Sequence, residues 1–119
     1  GHNLAAWQYL SKQITFVAEL RKKKNKRSNL RIVFGMVDDK DVKAVLDLLP
    51  PKAYYYFTQA YTHRAIPADR ICQLATERGL QGQVFNSVKK AYRKAMEDSA
   101  ADDFIFVGGS SYVVADFLS

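Results

Sequence analysis

Cysteine, histidine, methionine and proline are all scarce in this 119-residue sequence, numbering 1, 2, 2 and 3. A lone Cys72 cannot close an intramolecular disulfide, and neither a CxxC pair nor a His/Cys cluster is present to hold zinc. A reducing, cytoplasmic setting fits that usage. No apolar run approaches the roughly 20 residues of a membrane-spanning helix, and the first residues lack the charged and apolar regions of a signal peptide. GxGxxG and GxxxxGK(S/T) are missing too, so neither a dinucleotide fingerprint nor a nucleoside triphosphate loop is encoded here. Opening at Gly1-His2-Asn3 without Met, the chain reads as a fragment, with Gly1 either native or left by tag removal.

What is present is the composition of a globular core, 48% hydrophobic and 25% charged, on a length that suits one domain, residues 1–119. A net charge of +6 would normally raise nucleic acid or an anionic membrane as a partner. Its distribution argues against both. Six of the 18 basic residues fall within seven positions, 21–27, leaving 12 basic residues against 12 acidic ones elsewhere. The run lacks interleaved aromatics, so it reads as a solvated helix end.

Residues 4–20 place Trp7, Leu10, Ile14, Val17 and Leu20 on one helical face, with Asn3 as N-cap and Ser28-Asn29 as terminator. Residues 31–37 are rich in β-branched and aromatic side chains and read as a buried strand. A helix with Val42, Val45, Leu46 and Leu49 on its apolar face follows, capped by Asp38 with Asp41 and stopped at Pro50-Pro51. Strands at 53–58, 83–85 and 104–107 alternate with helices. The first of these begins at Pro67, the next is capped by Asn86 or Ser87, and the last spans 112–118. That alternation predicts an α/β domain, three-layer and Rossmann-like, with a mostly parallel sheet and helices on both faces.

Ligands of such folds bind beyond the carboxyl ends of the strands. At that edge, Val107-Gly-Gly-Ser-Ser-Tyr112 leads a strand through glycines into a hydroxyl-capped helix, a place for an anion as well as an ordinary tight turn. His63-Arg64 offers an anion contact or a solvated pair. Lys40 faces either solvent or an anion. Asp38, Asp39 and Asp41 carry oxygen donors, but Asp38 and Asp41 fit a capping pair better than a cation cage, and no metal site is expected. His2 has no base or metal partner in the sequence. Tyr54, Tyr55 and Tyr56 read as sheet residues, and Cys72 as a core or boundary residue.

The order of these elements is more specific than any one of them. Gly1-His2-Asn3, then Phe34-Gly-Met-Val-Asp-Asp-Lys-Asp41, then Arg64-Ala65 after a strand, then Val107-Gly-Gly-Ser110 resembles the C-terminal domain of folylpolyglutamate synthase and bifunctional dihydrofolate synthase, a family grouped with the Mur ligases. The resemblance covers essentially the whole chain. It implies one part of an ATP-dependent ligase in which a folate or dihydropteroate carboxylate is phosphorylated and the amine of L-glutamate attacks the acyl phosphate. ATP and Mg2+ would be held mainly by a preceding central domain, the partner of this one, which accounts for the missing phosphate loop; the isolated chain is expected to be inactive and to hold no cofactor. By position, His2 and Ser110 match the family's glutamate-placing histidine and serine. Asn3 belongs to the same motif as His2 or serves only as the helix cap, and Asp39, Lys40 and Asp41 match the family's DKD element, for which a role in domain contact or loop shape is expected; with Arg64 these are candidate nucleotide or cleft contacts. The sequence departs at Leu4, where the family commonly has proline, and the family's nucleotide-contacting aspartate would precede Gly1. A chain lacking the strand that carries that aspartate would expose a sheet edge, and is expected to be less stable or to pair with a second copy.

Two other readings stand beside this one. A Mur-type ligase domain with another acceptor would share the same motifs. A receiver-like regulatory module would begin its acid pocket at Val37-Asp38-Asp39, but would need an aspartate at the end of strand 53–58 and a lysine after Val107, where this chain has Thr58 and Gly108.

Overall fold

Five consecutive buried residues, Leu30–Phe34, form the central strand of the computed structural model, which describes residues 2–37 and 41–119 and only the backbone of His2 and Asn3. In chain order the elements are α1 (His2–Lys24), β1 (Leu30–Phe34), α2 (Val42–Leu48), β2 (Tyr54–Phe57), α3 (Ala68–Thr76), β3 (Gln81–Val84), α4 (Val88–Asp98), β4 (Phe104–Gly108) and α5 (Ser111–Leu118). The strands line up as β3-β2-β1-β4, all parallel, with Val33 of β1 opposite Tyr56 of β2 and Val107 of β4. The three-layer α/β architecture predicted from the alternation is the one that forms.

The two-residue period of the strands sorts the core into two layers. Ile32, Phe34, Tyr55 and Phe57 pack with Trp7 and Ile14 of α1, Val45 and Leu46 of α2, and Ile71 and Leu74 of α3. On the other face Val33 and Tyr56 meet Val88, Ala91 and Ala95 of α4 and Val113 of α5. Trp7 joins α1 to the sheet by edge-on contacts with Phe34 and Phe106, centroids 5.7 and 6.0 Å away.

Several local expectations are corrected. α1 already includes Asn3 in its first turn, so Asn3 is not an N-cap. The helix stops at Lys24, because Asn25 turns the chain and its side-chain oxygen accepts from the Arg27 N–H. Leu20, placed by periodicity on the buried face, is 46% exposed. Asp41 itself occupies the position before α2 and makes no side-chain cap hydrogen bond; Asp38, its expected partner, lies outside the described residues. β1 ends at Phe34 and not Val37, since Gly35 and Met36 leave the ladder and Val37 bridges Ala65 instead. β3 starts at Gln81, two residues before the expected strand, and all four of its residues are exposed. Met96, aligned with the apolar face of α4, is exposed as well.

A charged network ties the amino ends of the strands together. Arg31 Nε donates to Asp103 at 2.9 Å and its Nη1 to the Tyr56 hydroxyl at 2.8 Å, while the Tyr56 hydroxyl donates to Asp98 at 2.9 Å. Burial disfavours the charged forms, but the mutual bonding outweighs it: the Asp103 carboxyl lies below its ordinary value because it accepts from Asn29, Arg31 and Ala100, and Arg31 is raised. Tyr56 is pushed up by burial and by its bond to Asp98, whose carboxyl is lowered by the same bond. The network fixes β1 and β4 at one end, and so sets what their other ends present.

Candidate functional site

At the carboxyl edge, three loops are stitched to one another by backbone hydrogen bonds. Gly35 N–H donates to the Gly108 carbonyl (3.2 Å), Thr58 N–H to that of Phe34 (2.8 Å) and Ile66 N–H to that of Met36 (2.9 Å). The approach is close enough to demand glycine on both sides. A Cβ at Gly35 would lie 2.6 Å from the Thr58 carbonyl oxygen, and one at Gly109, whose φ is +114°, would lie 2.0 Å from that of Gly35. The glycines of the two sequence motifs therefore brace each other.

Gly109 delivers the chain into α5 with Ser110 at the N-cap, φ −144° and ψ 158°, its hydroxyl accepting from Val113 N–H at 3.3 Å. The N–H groups of Ser111 and Tyr112 have no acceptor among the described residues. They leave the positive end of the helix open to an anion. Arg64 reaches this end from the loop after β2: its guanidinium lies 5.8 Å from the centre of the Tyr112 ring, with Nη1 3.4 Å from the hydroxyl. Ser110 and Arg64, both expected site residues, are thus gathered at α5. Tyr112 joins them unforeseen, because nothing local marks a tyrosine 48 positions from its arginine.

His2 belongs to the same edge. α1 runs against the strand direction, with Trp7 over Phe106 and Arg21 over Phe104, so its start lies at the carboxyl ends. The side chains of His2 and Asn3, and all of Asp39 and Lys40, lie outside the described residues. Asp41 is half-buried at the start of α2, following the Gly35–Val37 segment.

Beyond β2 and β3 the edge opens into a cavity of about 390 Å³, whose lining includes Thr62, His63, Asn86, Ser87 and Asp116. Asp116 accepts from Tyr61 N–H at 2.6 Å, and the Tyr61 ring beside it is 98% exposed. Thr58 is fully buried, and its hydroxyl is without a partner among the described residues. Among the described residues no three His, Cys, Asp or Glu side chains gather as metal ligands, and no helix is long and apolar enough to cross a membrane. What the edge offers is donors: a helix N-terminus, a serine hydroxyl and a guanidinium, which together suit a carboxylate or phosphate. The receiver-like alternative is not favoured, since Thr58 and no aspartate follows the end of β2 at Phe57, and Gly108 and no lysine follows Val107 in β4.

Residues 1–111 match the family model described as Mur ligase, glutamate ligase domain. The chain belongs to that family. All of it aligns, at 28% identity, with 27% of a dihydrofolate synthase/folylpolyglutamate synthase from Buchnera aphidicola. Among solved structures, E. coli FolC in complex with DHPP and ADP superposes with a TM-score of 0.78 at 27% identity, covering 97% of this chain and 25% of that one. The Yersinia pestis bifunctional folylpolyglutamate synthase/dihydrofolate synthase, complexed with AMPPNP and Mn ion, gives 0.75 at 26% identity, with the same coverage. This glutamate ligase domain thus spans about a quarter of the length of the relatives it matches.

Proposed function

We propose that this glutamate ligase domain is one wall of the active cleft of a cytoplasmic ATP-dependent ligase that adds L-glutamate to folate or dihydropteroate, and that its carboxyl edge holds the incoming glutamate. The single observation that carries the reading is the start of α5: a helix N-terminus whose Ser111 and Tyr112 N–H groups lack acceptors among the described residues, capped by Ser110, braced by Gly109 on Gly35, with Arg64 against the Tyr112 ring. A glutamate carboxylate there would accept from the Ser111 and Tyr112 N–H groups and pair with Arg64, while the Ser110 hydroxyl proton remains free to donate. His2 enters from the same edge as a second glutamate contact, and Asn3, Asp39, Lys40 and Asp41 as contacts to nucleotide or to the facing wall.

ATP, with Mg2+, would supply the phosphoryl group that activates the acceptor carboxylate. The ADP, AMPPNP and Mn of the related structures support such a nucleotide in the whole enzyme. This chain is not expected to hold them alone, since the donors gathered at α5 suit an anion. The central domain of the same polypeptide would hold them, leaving residues 1–119 as a separate domain, inactive alone. Its task is to bind and orient glutamate and, on closing, to exclude water from a hydrolysable intermediate.

The test is Ser110→Ala in the longer enzyme, with turnover followed against glutamate concentration. A raised KM for glutamate with the KM for ATP unchanged is expected; unchanged glutamate kinetics would overturn the assignment. The reading also requires a GxxGKGS-like phosphate loop upstream in the parent gene.

A further inference from the structure

A larger cavity than the one at the carboxyl edge lies elsewhere. A groove of about 1030 Å³ opens at the opposite end of the sheet, between the last turns of α1 and the turn joining α2 to β2. Lys22, Lys23 and Lys26 line it from one side and Lys52 from the other, with Glu19 as the sole acid in the lining. The chain's whole excess of positive charge sits in residues 21–27, half of whose basic side chains face this groove.

Helix-dipole compensation accounts for only part of that cluster. Lys22 donates to the Ser28 carbonyl at 2.8 Å, and the Arg21 guanidinium lies over the Phe104 ring at 5.4 Å. Lys23, Lys26 and Lys52 make no hydrogen bond or ion pair among the described residues, although Glu19 lies one turn before Lys23, and Lys26 and Lys52 lie outside the helices altogether. Ammonium groups brought to one groove from segments some 30 positions apart repel one another, and an anion between them removes that penalty. The floor is different in character: Ala18, Leu30, Pro51 and Ala53 make it apolar. A ligand that suits both must alternate charge with methylene. A nucleic acid would look for stacking faces, but the Tyr54 ring already carries the Arg31 guanidinium at 4.9 Å.

We propose that this groove is a second site on the glutamate ligase domain, which binds an oligo-γ-glutamate chain, each residue of which offers one α-carboxylate to the lysines and two methylenes to the floor. The choice of chain rests on the folate-glutamate reading above. Strands of five residues at about 3.3 Å each separate the groove from Ser110, so a tail held here leaves the glutamate edge free. The domain would thereby retain glutamylated molecules by their tails without occupying the reacting position.

Titration calorimetry of this chain with penta-γ-glutamate lacking any pterin tests the idea. Binding with a Kd below about 1 mM is expected at about 50 mM salt, weakening several-fold at about 200 mM. The triple variant Lys23→Gln, Lys26→Gln, Lys52→Gln should bind at least about tenfold more weakly with a melting temperature within a few degrees of the parent, since it removes exposed charges that make no ion pair and only one of four last-turn cations of α1. Ser110→Asp should leave pentaglutamate binding intact, which separates this site from the proposed glutamate edge. A ligase without glutamate-dependent turnover whose domain still binds pentaglutamate would refute the earlier reading alone. No binding, equal binding by the triple variant, or equal or tighter binding of penta-α-glutamate or a single-stranded oligonucleotide would overturn the proposal.

Discussion

Gly109 rests against Gly35 so closely that a methyl group on the former would fall 2.0 Å from the carbonyl oxygen of the latter. Two loops 74 positions apart therefore fix each other's backbone, and α5 starts where that contact puts it. Gly109→Ala meets two obstacles, a φ of +114° and the Gly35 carbonyl. Backbone strain alone costs about 1–3 kcal/mol, and the clash adds to it. Urea unfolding should show a loss of at least about 2 kcal/mol, and the longer enzyme should lose glutamate affinity because Ser110 moves.

The Arg31–Asp103 pair makes a prediction about acid. The Asp103 side chain is fully buried and its carboxyl lies below the ordinary 3.8, so it binds its proton less readily folded than unfolded. Its contribution is complete well above pH 3.8 and is lost as pH falls through the lower, folded value. Asp103→Asn should cost about 3 kcal/mol at pH 7, because it leaves Arg31 buried without its counter-charge. It should also flatten the decline of stability below about pH 4. Urea midpoints measured from pH 7 to pH 2.5 on both proteins test this; parallel curves would contradict it.

Periodicity exposes whatever is buried and apolar, and little else. β1 and the buried faces of α3 and α4 were legible because Ile32, Val33, Phe34, Ile71, Leu74, Val88 and Ala91 fall at the spacing their elements require. The start of β3 was obscured because Gln81, Gly82 and Gln83 lie on an exposed edge strand held by backbone pairing to Tyr54, Tyr55 and Tyr56. Arg31 reads as a flank of an apolar run until its partners, 25 and 72 positions away, come into view. The same limit governs the site. Ser110 was marked by the glycines before it, a local signal, whereas Tyr112 against Arg64 and Asp116 against Tyr61 are contacts that only the folded chain creates.

Trp7, the one tryptophan, is a reporter of α1 docking. It is buried against Phe34 of β1 and Phe106 of β4, so its emission should shift to the red together with the loss of helical circular dichroism if α1 leaves with the rest of the fold. Phe106→Ala removes one of its two ring partners and should cost about 3 kcal/mol. A Trp7 signal that moves well before the ellipticity in urea would show α1 detaching as a separate unit.

Ser110 has two assignments that a single substitution can separate. As N-cap its oxygen accepts from Val113 N–H, and replacing it by Ala should cost about 1 kcal/mol. Such a loss would blur any reading of altered kinetics. Ser110→Asp keeps an oxygen acceptor of equal capping strength and places a negative charge at the positive end of α5, so stability should stay within about 0.5 kcal/mol of the parent or rise. The same charge repels a carboxylate and removes the hydroxyl proton that would be donated to it. In the longer enzyme the KM for glutamate should rise at least about tenfold, equivalent to about 1.4 kcal/mol, with the KM for ATP unchanged. Wild-type glutamate kinetics in a stably folded Ser110→Asp enzyme would mean that the start of α5 caps a helix and binds no glutamate.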